Sequence, residues 1–289
     1  MTDRHRGLFA IPAPVSALFR LVPLRIYDSE PLPVRATRSS RPVPQLHVFT
    51  SFDDDDDGLS LDPACLMWQA FLRMACIKVR LVSSSPHASP DGSLPFLLPD
   101  GQDPKPNIPL TGSAIARYIR AHVSDPAPPH PPPPKLEPYL ALLTHTIRSA
   151  WLYALFLPAN EPLLTRVYLS HPSATPLPFR LRSLRATFDI PSSHRKHHHS
   201  PDALLADTRR AFTALDTLLG DDDDDGPWFF GLSSPGLFDA HVFSYTYPIL
   251  NPPVPWAAED FLLRDCLGGC RRLLAHCDAL YASCYHAVQ

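Results

Sequence analysis

The sequence predicts an α/β unit followed by an all-helical one. Three observations carry that expectation. Residues 45–120 switch between alternating and helix-spaced apolar patterns in the order strand, helix, strand, strand, helix. Seven prolines among residues 125–134 then read as a polyproline-like, semi-rigid connector. Beyond it the apolar residues recur at helical spacing almost to residue 285.

Gln45 to Phe52 alternates, with Leu46, Val48 and Thr50 on one side, and is expected to be a strand. Asp53 to Asp57 is a run of five like charges and is expected to be a solvated loop. Leu61, Cys65, Trp68, Leu72 and Ala75 set a helix over Leu61–Cys76. Ile77–Val82 is a second strand, Ser83–Ser93 a loop, and Leu94–Leu98 a third strand with Pro95 at its mouth. After a loop from Asp100 to Pro109, Ser113 is placed to cap a helix carrying Ile115, Tyr118 and Ile119. The expected domains are an Arg/Pro-rich arm 1–44, an α/β domain 45–125, a linker 126–135 and a helical domain 136–289.

In the helical domain, Leu136, Leu140, Leu143, Ile147, Ala150 and Ala154 form one long stripe. Residues 158–200 are poorly periodic and are expected to be an irregular insertion. Ser200 and Pro201 open a helix that Gly220 closes. A second acidic run, Asp221–Asp225, precedes Trp228-Phe229-Phe230, which is expected to pack the helical domain. Cys266, Cys270, Cys277 and Cys284, at steps of four, seven and seven, place a cysteine face on a single helix from about 258 to 285. That face spans roughly 27 Å at 1.5 Å per residue, so the thiols cannot converge on one metal. They are expected to be buried core residues.

Composition narrows the function. With 26 basic and 29 acidic residues the formal charge is −3, which gives nucleic acid no general attraction. Prolines number 36 among 289 residues, against a usual share of about 5%, which leaves little room for long uninterrupted elements. No apolar run approaches the ~20 residues of a membrane-spanning helix. The arm carries Arg20, Arg25, Arg35, Arg38 and Arg41 against Asp3, Asp28 and Glu30, and Arg180, Arg182 and Arg185 of the insertion stand almost unopposed. They are candidates for meeting an acidic partner or an anionic lipid surface. His194 and His197–His199 read as a solvated loop rather than a ligand set, because adjacent histidines on a regular element cannot all face one ion.

The order of elements resembles the glutathione-transferase-like fold, a thioredoxin-like domain followed by a helical one. Leu94-Pro95-Phe96 is similar to its strand with a cis proline, and Thr111-Gly112-Ser113-Ala114-Ile115 to the turn into its next helix. Gly236 to Asp239 stands where that fold has a capping box, with Gly236 in place of the Ser or Thr, so only the bond from Asp239 can form. Within the fold, residues 60–75 and 235–246 resemble the two signatures of the metaxins and their fungal relatives. That resemblance implies a subunit of the sorting and assembly machinery of the mitochondrial outer membrane, peripheral on the cytosolic face. The partners it implies are the machinery's β-barrel subunit, a second metaxin-like subunit and β-barrel precursors, whose β-signal the family helps to recognise.

The resemblance also marks a groove at Asp62, Pro95 and Ser113. A glutathione transferase needs a hydroxyl or thiol at the first strand–helix junction to stabilise the glutathione thiolate. Here Asp62 stands at that point, and a carboxylate repels a thiolate. Ser60 lies two residues earlier, and Cys65 falls on the apolar stripe. The expectation is therefore a chain that is not an enzyme, with no catalytic, cofactor-binding or metal-binding residues and a vestigial groove. A glutathione-dependent transferase or reductase, and a soluble scaffold of some other complex, remain the alternatives.

Overall fold

The computed structural model describes residues 41–49, 58–123, 135–169, 181, 201–220, 226–252, 256 and 262–286. The chain divides into two units, residues 1–38 and 39–289, and every described residue lies in the second. The expected features at Arg20, Arg25, Arg35, Arg38, Arg180, Arg182, Arg185, the histidine cluster, both aspartate runs and the proline-rich linker lie outside the described residues.

The N-terminal half is a four-stranded mixed sheet in the order β2-β1-β3-β4. Strand β1 (Gln45–Val48) pairs parallel with β2 (Arg80–Ser83) and antiparallel with β3 (Phe96–Leu98), which pairs antiparallel with β4 (Leu110–Thr111). The register places Leu46, Leu81, Leu97 and Leu110 on one face and His47, Val82, Phe96 and Thr111 on the other. Leu46, Val48 and Leu97 are fully buried. Helix α1 (Pro63–Met74) joins β1 to β2, and α2 (Ser113–His122) follows β4. The strands are shorter than the alternation suggests, and β4 was not foreseen. Two residues are too few to show a period.

Arg41 ties the start of this half together. Its guanidinium donates to the Pro99 carbonyl at 3.1 Å, to the Pro106 carbonyl and to Asn107 Oδ1, while its own carbonyl accepts from the Gly101 amide. The last residues of the expected arm are thus anchored to the loop between β3 and β4.

The helical half opens with α3 (Leu136–Ala141), a π-helical turn at Leu142–Ile147 and α4 (Arg148–Leu155). Leu143, Ile147, Ala150 and Ala154 of the expected stripe are buried. Residues 158–200 are not irregular throughout: Glu161–Tyr168 is a helix, α5, with Pro162 in its first turn. Its apolar residues are clustered at Leu163, Leu164, Val167 and Tyr168 in too short a window to display a period. Next come α6 (Pro201–Leu218), α7 (Leu237–Leu250), α8 (Leu262–Leu267) and α9 (Arg271–Tyr281).

The single cysteine-striped helix is corrected to two. Gly268 and Gly269 break it between α8 and α9, because glycine there lowers the cost of leaving the helical region. The Leu273 amide at the start of α9 is capped from α6, donating to Asp216 Oδ1 at 2.9 Å. The four cysteines are nonetheless all buried, as expected.

The two halves share one core. Helix α1 lies against α7, so the two signature stretches 60–75 and 235–246 meet. Leu66 and Ala70 of α1, Ala240 and Phe243 of α7, and Cys277 and Leu280 of α9 make a cluster between them. Among the described residues no single helix is long and apolar enough to cross a membrane. One bent pair, Leu136–Leu155 with Pro158–Tyr168, passes by length and composition, but most of its apolar side chains form the protein core.

Candidate functional site

The first strand–helix junction is built around Asp62. Asp62 precedes Pro63, and Asp before Pro is the pairing that opens a helix: the carboxylate caps, and proline occupies a position whose N–H has no partner. Asp62 Oδ2 accepts from the Cys65 amide at 3.0 Å. Its other oxygen accepts from the Tyr168 hydroxyl at 2.7 Å, across 106 residues and from the helical half. The carboxylate is 4% exposed. Burial raises its pKa above the usual carboxylate range, against the pull of the Tyr168 and Cys65 hydrogen bonds.

The other groups near the junction are also turned inward. Ser60 is fully buried and donates to the Phe49 carbonyl at 2.6 Å, while its amide donates to Gln69 Oε1 at 2.9 Å. Cys65 is fully buried, and burial together with the Asp62 charge holds its thiol well above the ordinary range. Burial likewise keeps the Tyr168 hydroxyl protonated, with the Asp62 charge adding to the effect. This cluster is a capped, hydrogen-bonded joint between the halves, and Arg148 on α4 lies close enough to favour the Asp62 charge.

The remaining groove residues face outward in part. The Leu94–Pro95 peptide is cis, as the resemblance implied, and Pro95 is buried. Ser113 does not cap α2. Gly112 takes the capping position at φ 46°, ψ −120°, a conformation that favours glycine, and makes no side-chain cap. Ser113 is exposed at the first turn. A helix start of this kind, with no side chain across it, can receive a carboxylate through its first N–H groups and the Ser113 hydroxyl.

A second joint sits at the start of α7. Asp239 Oδ2 accepts from the Gly236 amide at 2.8 Å, the one half of a capping box that glycine allows. Oδ1 accepts from the Phe229 amide at 3.1 Å and from His276 Nε2 at 2.9 Å, with His276 and Asp239 both fully enclosed. Sequence reasoning found the Gly236 bond but not His276, which lies on α9 with no local signal linking it to Asp239.

Two domain models match the sequence: the glutathione S-transferase N-terminal domain over residues 63–162 and the glutathione S-transferase C-terminal domain over residues 208–280. The chain has a glutathione-transferase-like fold. It resembles the beta-etherase LigF from Sphingobium sp. strain SYK-6 with 14% identity and a TM-score of 0.50, over 83% of this chain and 95% of that one. It also resembles a glutathione S-transferase III in its apo form, with 17% identity and a TM-score of 0.48, over 83% of this chain and 92% of that one. A glutathione transferase family member from Pseudomonas fluorescens with two glutathiones bound gives 11% identity and a TM-score of 0.49, over 86% and 91%. No curated protein matches the sequence.

The two domain models, with the likeness to LigF, confirm the expected thioredoxin-like plus helical architecture. The match to two glutathione S-transferase domain models goes against the expectation of a chain that is not an enzyme, and that expectation is withdrawn. At these identities it is the fold that is shared. Among the described residues no group of three or more His, Cys, Asp or Glu is placed to hold a metal ion.

Proposed function

We propose that the chain is a metaxin-like subunit of the sorting and assembly machinery of the mitochondrial outer membrane. On this reading it lies on the cytosolic face, docks on the β-barrel subunit beside a second metaxin-like subunit, and helps to recognise and insert β-barrel precursors. The observation that carries the reading is the pair of stretches 60–75 and 235–246. Both resemble metaxin signatures, and they form the packed seam α1–α7 between the two halves. The arginines of residues 20–38, in excess over Asp28 and Glu30, and those of residues 180–185 supply charge for an acidic partner or an anionic lipid surface.

Subcellular fractionation with alkaline extraction, followed by co-purification through the tagged barrel subunit, tests this. The expected result is recovery with the outer-membrane complex; a protein found in another compartment and absent from the complex sinks the reading. Deleting residues 1–38, which spares the Arg41 anchor, is expected to weaken the co-purification. An undiminished yield would remove the arm from the interface.

A second reading is a glutathione-dependent transferase or reductase. The specific features that favour it are the matched glutathione S-transferase domains and the open start of α2 at Gly112 and Ser113. The docking role does not depend on whether this groove also takes glutathione. Retention on immobilised glutathione, lost in Ser113→Ala together with conjugation of a model electrophile, is the outcome expected of an active site. Absence of both retention and turnover in the intact chain rejects it.

A further inference from the structure

Among the described residues a serine precedes a proline at three places: Ser85-Pro86, Ser89-Pro90 and Ser234-Pro235. Thr175-Pro176 and Ser200-Pro201 fall wholly or partly outside them. The three pairs are alike in sequence, but the fold treats them differently. Ser89 is 9% exposed and tied on both sides. Its Oγ accepts from the Asp91 amide at 3.4 Å, and its own amide donates to the Pro86 carbonyl at 3.2 Å. Ser85 and Ser234 are exposed.

The two open serines sit in unlike surroundings. Ser234 lies two residues before Gly236, whose amide is bound by Asp239 Oδ2 at 2.8 Å, so a second anion placed there meets a carboxylate. On its other side Phe230 and Gly231 take left-handed backbone, at φ 62° and 63°, which a non-glycine residue keeps only where its surroundings impose it. Ser85 follows the last ladder bond of β2, in which the Ser84 amide donates to the Val48 carbonyl at 3.0 Å. Its backbone is extended, at φ −126° and ψ 158°, the conformation that a following proline favours. Its side chain makes no cap bond to the single 3₁₀ turn Pro86–Ala88. The ionisable residues within five positions of it, Arg80 and His87, are both basic and exposed.

We propose that Ser85 is a phosphoacceptor for a proline-directed serine/threonine kinase. Such an enzyme places an extended substrate so that its hydroxyl meets the γ-phosphate. Ser85-Pro86 already holds that shape, which lowers the ordering cost of binding. The 3₁₀ turn has to open, at the loss of two backbone bonds, Ala88 to Ser85 at 3.0 Å and Ser89 to Pro86 at 3.2 Å. Ser85 Oγ then bonds to the γ-phosphorus of ATP as the bond to the bridging oxygen breaks. ADP leaves, and the hydroxyl proton passes to the kinase's catalytic aspartate. The product carries about −1.5 to −2 of charge and strong acceptor oxygens at the exposed end of the edge strand β2. The inference requires neither a mitochondrial location nor glutathione and stands or falls separately from the readings above.

The test incubates the full chain with magnesium ATP and an active mitogen-activated protein kinase, and follows each phosphopeptide by tandem mass spectrometry. Ser85 is expected to be labelled at least about tenfold faster than Ser89 or Ser234. Ser85→Ala is expected to remove that phosphopeptide alone. Pro86→Ala keeps the hydroxyl and is expected to slow labelling of Ser85 by about tenfold or more. Thermal melts of both variants, changed only at surface positions, are expected to match the parent chain. A smaller margin between the sites, no phosphate on Ser85, or an undiminished rate in Pro86→Ala overturns the inference.

Discussion

Removing the Tyr168 hydroxyl isolates the joint between the two halves. In Tyr168→Phe the ring still fills its place, with Phe49 edge-on at 4.8 Å, but Asp62 Oδ1 loses its 2.7 Å donor. With the carboxylate 4% exposed, water does not readily take the donor's place. A hydrogen bond to a charged group contributes about 1.5–3 kcal/mol, which for a unit of this size corresponds to a Tm lower by roughly 4–10 °C at neutral pH. The pH dependence gives the sharper check. Burial raises the folded-state pKa of Asp62 above its ordinary 3.8, so the folded chain binds the proton more tightly than the unfolded one. The penalty of the buried charge is absent below the ordinary pKa and complete above the raised one. Losing Tyr168 raises the folded pKa further, so the cost of the substitution must shrink as pH falls through that window. Asp62→Asn keeps one oxygen to accept from the Cys65 amide and places its Nδ2 to donate to the Tyr168 oxygen while removing the charge, and is expected to hold its stability at neutral pH. Thermal unfolding followed by circular dichroism at neutral and acid pH measures all three chains. A Tyr168→Phe cost below about 0.5 kcal/mol, the range of featureless surface changes, refutes the account, as does a cost that does not diminish in acid.

Three further outcomes follow from the same geometry. Of the six cysteines only Cys76 is exposed, and burial pushes Cys277 to about 12 and Cys284 to about 11. A thiol reagent should therefore label one site on the native chain and six after denaturation, counted by mass spectrometry. Asp239→Ala strands the donors of Phe229, Gly236 and His276 at once; a loss of about 3–5 kcal/mol is expected in denaturant titration. Burial lowers His241 to about 4, so its contribution is present above the ordinary 6.5 and is lost as pH falls from there towards 4. His241→Gln should abolish roughly 2–4 kcal/mol of acid sensitivity, read as a flatter stability profile over that range.

The sequence showed most clearly what repeats along it. The periodicity of residues 61–76 and 136–154 locates α1 and the α3–α4 run, and glycine at position 236 by its identity alone limits the cap of α7 to one bond. Short or interrupted elements escaped, since β4 has two residues, α5 eight, and the Gly268–Gly269 break hid inside an unbroken cysteine rhythm. At the first junction the residue types were legible but their roles were not. Asp62 read as a hostile charge in a groove, although Asp before Pro is a cap signal in its own right. Its second partner, Tyr168, lies 106 residues away. Such a pairing is a property of tertiary packing, and one sequence carries no local trace of it. His276 was hidden for the same reason, as was the contrast in exposure between Ser85 and Ser89, which depends on what their neighbours leave uncovered.

The span between Asp62 and Tyr168 has a consequence during biosynthesis. At translation rates of roughly 5–20 residues per second, the aspartate emerges from the ribosome about 5–20 s before the tyrosine that completes its surroundings. For that interval the nascent sheet has no helical half to cover it, and the carboxylate remains hydrated. The apolar face that the helical half later covers is exposed to solvent until that half has been synthesised.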